Sequence, residues 1–217
     1  LWKQPKHALE IIPARCLAPA NFPEQYICTT PFPPDDRSMG YERGASISQA
    51  WDQATTAAAL EFAEFTVRKL DEFSGSKPDD PKRREKVREF CVKLAERAFR
   101  RPLTDEQKSL YVDRQLAEVK DMDTAVTRIV LAVLKSPRFL FREAVGDARD
   151  PYNVAARLSF GLWDSLPDRS LLEAAARDQL KTREQVQKQA WRMVGDMRTQ
   201  SKQREFLLQW LKVDQHT

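Results

Sequence analysis

The chain has 217 residues, enough for one large domain or two small ones, with 41% hydrophobic and 31% charged side chains, the balance of a soluble globular protein. Only 6 glycines are present, which excludes a turn-rich β-sandwich, and the longest apolar run, Ile129 to Leu134, is far too short to span a membrane. The net charge of +4 would suit an anionic partner, but carboxylates interleave with the cations, as Glu85, Glu89 and Glu96 do in the most basic stretch.

Residues 1–45 read as an extended, proline-rich segment. Seven of the 13 prolines lie in the first 34 residues and forbid a regular helix there. Trp2, Ile11, Ile12, Phe22, Tyr26 and Phe32 are too apolar for a disordered linker, so the segment is expected to lie pinned across the surface of the helical part or of a neighbouring domain. Cys16 and Cys28 are candidates for a disulfide in an oxidising compartment. Asp35, Asp36 and Ser38 form a cluster of loop oxygens, but without the spacing of a calcium loop.

Helical periodicity begins at Ser46, with Ser48 as N-cap, and runs through Trp51, Ala54, Ala58, Phe62 and Phe65 to about Phe73; residues 46–78 are assigned to this helix and its linker. Asp80-Pro81 opens a helix to about Arg101, its inner side carrying Val87, Phe90, Cys91, Leu94 and Phe99. Pro102 stops it, and Thr104 with Gln107 forms a capping box for a helix reaching Lys120. The next helix starts near Asp121 or Asp123 and is ended by Pro137. Residues 79–148 make one helical subdomain on this reading. A second, 149–217, holds a helix from Asp150-Pro151 to Trp163, a short one from Asp168 to about Leu180, one capped by Thr182 and Gln185, and a last one from about Thr199 to Val213. This last subdomain is expected to continue beyond residue 217. The fold class is all-α, an irregular multi-helix bundle behind an extended N-terminal segment.

No catalytic or metal-binding constellation stands out. Three cysteines and two histidines supply no C-x-x-C pair and no C-x-x-C-H haem attachment, and neither His7 nor His216 has a recognisable nucleophile motif. The candidates are arginines. Arg97, Arg100 and Arg101 crowd one helix end, where they are suited to pair with neighbouring carboxylates or, less simply, to grip an anion. Arg138 and Arg142 flank Phe139, Leu140 and Phe141, which reads as a connector whose Arg stems cover apolar surface. At least one motif arginine, Arg157 foremost, is expected to be buried and bonded to a carboxylate or to backbone carbonyls. Trp163, Trp191 and Trp210 are expected to be core aromatics. Phe99, Leu94, Val130, Phe139, Leu140, Trp163 and Trp210 are expected to share one contiguous core.

Five motifs carry a family resemblance: Arg97-Ala98-Phe99-Arg100-Arg101-Pro102, Ser136 to Arg142, Arg157 to Trp163, Leu166-Pro167-Asp168, and Gln209-Trp210-Leu211. In this order and spacing they resemble planctomycete-type multidomain exported proteins, which carry domains of unknown function beside a cytochrome c domain. Phe141, Phe160 and Gly161 depart from that pattern. The resemblance implies a periplasmic or cell-surface location, a larger parent chain, and a c-type haem elsewhere in it, with no cofactor in residues 1–217. It brings no catalytic residues.

The leading reading is therefore a helical scaffold or interaction region. Its partners would be the remaining domains of the same polypeptide or other protein subunits, with no transmembrane segment and no nucleic acid. An alternative is part of a redox or carbohydrate-active enzyme whose active site lies mainly outside this stretch. A third, nucleic-acid binding through the basic helix 81–101, is disfavoured by its interleaved carboxylates.

Overall fold

The computed structural model describes residues 26–33, 49–141 and 147–211. Among these, all regular structure is helical, in agreement with the all-α reading. The chain divides into two compact units, Leu1–Leu140 and Phe141–Thr217.

In the first unit, α1 (Gln49–Arg68) is followed by the short α2 (Leu70–Ser74), which ends on Gly75 in the left-handed conformation at φ 61°. The helix α3 (Arg83–Phe99) comes next. Thr104 then caps α4 (Asp105–Lys108) with the expected reciprocal box, its Oγ accepting from the Gln107 N–H and the Gln107 side chain accepting from the Thr104 N–H. A π-helical turn, Ser109–Asp113, joins α4 to α5 (Arg114–Glu118), and α6 (Met122–Leu134) starts from Asp121, whose carboxylate accepts from the Thr124 N–H at 2.8 Å. Pro137 does more than end a helix. It occupies the first position of a one-turn helix, α7 (Pro137–Leu140), where its missing N–H costs nothing.

The core of this unit joins Phe62, Ala63 and Leu70 to Val87, Phe90, Cys91 and Leu94, and these to Val126, Ile129, Val130 and Val133. The first helix is thus not the separate region 46–78 of the sequence reading. Its small buried residues Ala54, Ala58, Ala59 and Ala63 let it run close along α6.

The second unit contains α8 (Pro151–Trp163), α9 (Arg169–Ala176), α10 (Arg183–Val194) and α11 (Met197–Trp210). Asp150, Asp168 and Thr182 cap the first three as their sequence positions predict. Its core is smaller, built on Ala155, Trp163, Leu171, Ala175, Leu180 and Met193.

One contiguous core is therefore wrong. Phe99, Leu94 and Val130 belong to the first cluster with Phe139 packed against it, Trp163 belongs to the second, and Leu140 and Trp210 are exposed. Matching apolar faces on successive helices say that each face is covered, not that one centre covers them all.

Residues 26–33 have no regular structure but are anchored. Tyr26 is buried against Phe62 and Phe65, with ring centroids 5.0 and 5.1 Å away. Phe32 meets Trp51 at 5.5 Å. The rest of the expected extended segment lies outside the described residues.

Candidate functional site

The arginine cluster at the end of α3 resolves into a structural clamp. Past Phe99 the chain turns back on Arg100, held at φ 62° and ψ 23°. There the Arg100 N–H bonds to Arg97 O at 3.2 Å and the Arg101 N–H to Glu96 O at 3.1 Å, a Schellman termination built on a non-glycine residue. Pro102 prevents continuation, and the Glu96 side chain accepts from the Leu103 N–H at 3.2 Å. The guanidinium of Arg100, only 5% exposed, donates to Arg138 O at 2.7 Å and to Phe139 O and Ala98 O at 3.3 Å each. Two of the sequence motifs thus interlock: the arginine of one holds the main chain of the other.

Ser136 completes this joint. Its buried Oγ accepts from the Arg138 N–H at 3.2 Å and lies 3.0 Å from the Tyr111 hydroxyl. Just before it, Lys135 Nζ reaches back to Asp52 Oδ1 at 2.7 Å and to Thr55 Oγ1 at 3.0 Å.

Polar and cationic contacts of the second unit gather around Trp163. The indole N–H donates to Met193 O at 3.1 Å, and Thr199 Oγ donates to the same carbonyl at 2.8 Å. The Arg198 guanidinium lies 3.5 Å from the indole ring centroid and that of Arg192 lies 5.6 Å from it, a cation–π arrangement. Arg192 also grips Asp168 with two bonds, at 2.7 and 3.1 Å, while Asp168 caps α9. Arg198 does the same to Asp196, at 2.8 and 2.9 Å. Those bonds, acting against burial, bring the Asp196 carboxyl down to about 2. Ser159 Oγ donates to Ser165 O at 2.7 Å, closing the turn between α8 and the Leu166-Pro167-Asp168 motif.

The third polar cluster was not legible in the sequence. Glu61, mid-helix on α1, receives the N–H and hydroxyl of Thr29 at 2.7 and 2.9 Å and those of Thr30 at 3.0 and 2.7 Å. Burial pushes this carboxyl up, but the Thr29 and Thr30 donors outweigh it and leave the group below its ordinary value. Cys28 places its Sγ 3.7 Å from Glu61 Oε2. Burial first, and then the Glu61 charge, raise that thiol against the donors that lower it. A lone Glu on a helix and a Thr-Thr pair more than thirty residues earlier carry no shared signature. Only the fold pairs them.

Arg97 is 8% exposed, within the end of α3, and Arg101 is half-buried. Arg157, expected to be the buried arginine, is exposed; its guanidinium donates to Ala148 O. A motif arginine is buried and bonded to backbone carbonyls as expected, but it is Arg100 and not Arg157, because Arg157 on α8 faces outward while Arg100 lies behind the chain reversal. Arg142 and Cys16 lie outside the described residues, as do the pairing of Cys16 with Cys28, the Asp35–Ser38 cluster and both histidines. Trp191 and Trp210 are both 69% exposed and are not core residues. Along α3, Arg83 pairs with Asp71, Lys86 with Asp80, Arg88 with Asp113 and Lys93 with Glu89, and Arg84 donates to Leu116 O. Arg83, Arg84 and Arg88 thus serve neighbouring helical segments of the same unit, Lys86 the turn before α3, and Lys93 its own helix.

Among the described residues no group of histidine, cysteine and carboxylate side chains is placed to hold a metal ion, and no helix is long and apolar enough to cross a membrane.

Residues 86–143 match the family model described as PSD5, a protein of unknown function (DUF1595). Residues 150–217 match the model described as PSD4, a protein of unknown function (DUF1592). The Arg97–Pro102 and Ser136–Arg142 motifs fall in the first stretch, and the other three in the second. No curated protein and no solved structure matches the chain.

Proposed function

We propose that this chain is a helical scaffold and interaction region of a larger exported protein linked to a cytochrome c domain. The observation that carries the reading is how the motif side chains are used. Arg100 holds the carbonyls of 138 and 139, Trp163 holds that of Met193, and Asp168 caps a helix while binding Arg192. Each fixes one segment against another, the work of a framework that presents surfaces. The two family-model matches and the motif resemblance support the wider setting, in which haem belongs to a neighbouring domain and the partners are protein.

The test is to isolate the full-length parent protein, fractionate the cells, and record its visible spectrum oxidised and reduced. A c-type haem spectrum in a periplasmic or surface fraction is expected. A haem-free protein retained in the cytoplasm would overturn the proposal.

A further inference from the structure

Residues 26–33 lie on α1 as a bound peptide lies on a receptor. Their contacts run antiparallel to the helix. Tyr26 packs on Phe62 and Phe65, the donors of Thr29 and Thr30 meet Glu61, and Phe32 packs on Trp51. The lengths agree. From Trp51 to Phe62 and Phe65 a helix rises roughly 16–21 Å, and Tyr26 to Phe32, extended, spans roughly 20 Å. Burial alternates too: Tyr26, Cys28, Thr30 and Phe32 are buried or half-buried, while Ile27, Thr29 and Pro31 are exposed. That is the period of an extended chain laid on a surface.

What holds this segment is separable from what holds the helices. Among the described residues no backbone-to-backbone hydrogen bond ties 26–33 to a helix. The N–H groups of Thr29 and Thr30 are taken up by the Glu61 side chain instead. Tyr26 is the segment's one member of the described core, and every other residue of that core lies between Ala59 and Leu134. A carboxylate only accepts hydrogen bonds. Glu61 therefore selects consecutive N–H and hydroxyl donors and rejects an acidic ligand, while the rings on either side of it supply apolar anchorage.

We infer that the flank of α1 from Trp51 to Phe65 is a binding site for an extended peptide, which the chain keeps filled with its own residues 26–33. Its ligand carries two aromatic residues six positions apart with a pair of adjacent threonines between them. The inference rests on the interaction-region part of the proposed function and names a site for it. Neither export nor haem enters, so the spectrum and fractionation above can fail while peptide binding holds, and the reverse.

The probe is a fluorescently labelled synthetic peptide of residues 26–33 with Cys28→Ser, titrated against the whole chain. Y26S, T30P and F32S together empty the site, since both anchors go and proline brings neither N–H nor hydroxyl. The emptied chain is expected to keep its helical circular dichroism and cooperative melt and to bind the peptide. The wild type should bind it at least about tenfold more weakly, because the tethered copy competes at an effective concentration of about millimolar. Adding Glu61→Gln to the emptied chain, or Thr29→Val with Thr30→Val to the peptide, should each weaken binding about tenfold or more. No binding to the emptied chain, equal binding to the wild type, indifference to either of the last two changes, or loss of the helical melt on emptying would each overturn the inference.

Discussion

A left-handed arginine is a costly way to end a helix, and at Arg100 the side chain supplies the compensation. A non-glycine residue at this φ costs roughly 1–2 kcal/mol in backbone energy, whereas hydrogen bonds from a charged donor contribute about 1.5–3 kcal/mol. Arg100→Gly should therefore lower stability by about 1–3 kcal/mol in urea denaturation, and Arg100→Ala by about 1 kcal/mol more, since alanine keeps the strain and loses the bonds. Equal effects of the two substitutions would mean that strain contributes nothing. Cys91 gives a second check at this scale. Burial pushes its thiol up to about 12, so at pH 8 it should resist a thiol-exchange reagent in the native protein and react once the chain unfolds. Glu61 gives a third. Its folded pKa is depressed, so its contribution is present above the unfolded value of about 4.3 and is lost as pH falls through the folded value. Acid should release residues 26–33 to hydrogen exchange before the helices melt, and Glu61→Gln should leave that release insensitive to pH.

Single elements were the most readable level. Thr104–Gln107, Asp121, Asp150-Pro151, Asp168 and Thr182–Gln185 each start a helix because short polar side chains satisfy N–H groups that the helix itself leaves open. Such signals are local and need no partner. Thr104→Ala and Thr182→Ala are each expected to cost about 0.5–2 kcal/mol in stability, with Thr→Ser recovering most of it. The π turn at Ser109–Asp113 had no comparable marker, since an apolar stripe registers a helical face and not one extra residue within it. Arg157 was misplaced for a related reason. Periodicity shows which side of a helix is apolar, but an arginine beside that stripe is buried only if another segment crosses above it.

For the molecule as a whole, composition and periodicity indicated the helical class, while the partition into two units required long-range packing. Ala54, Ala58 and Ala63 give α1 a narrow face whose partner, α6, is some seventy residues further on. The Glu61 cluster was hidden in the same way. The first unit closes its core over its own helices from Phe62 to Leu134. Residues 26–141 expressed alone should accordingly give a strongly helical circular dichroism spectrum and a single cooperative melting transition; a non-cooperative melt would show that this core is insufficient.

The joint at Arg100 also has a consequence for how this chain tolerates change. Its guanidinium binds carbonyl oxygens at 138 and 139 rather than side chains. Substitution at 138 leaves the acceptor in place, whereas substitution at 100 removes the donor. In a saturation library scored by folded yield, most residues should be depleted at position 100, glycine least, and few other than proline at position 138, although both are arginines of the same two-motif lock. Half of that lock is free to vary.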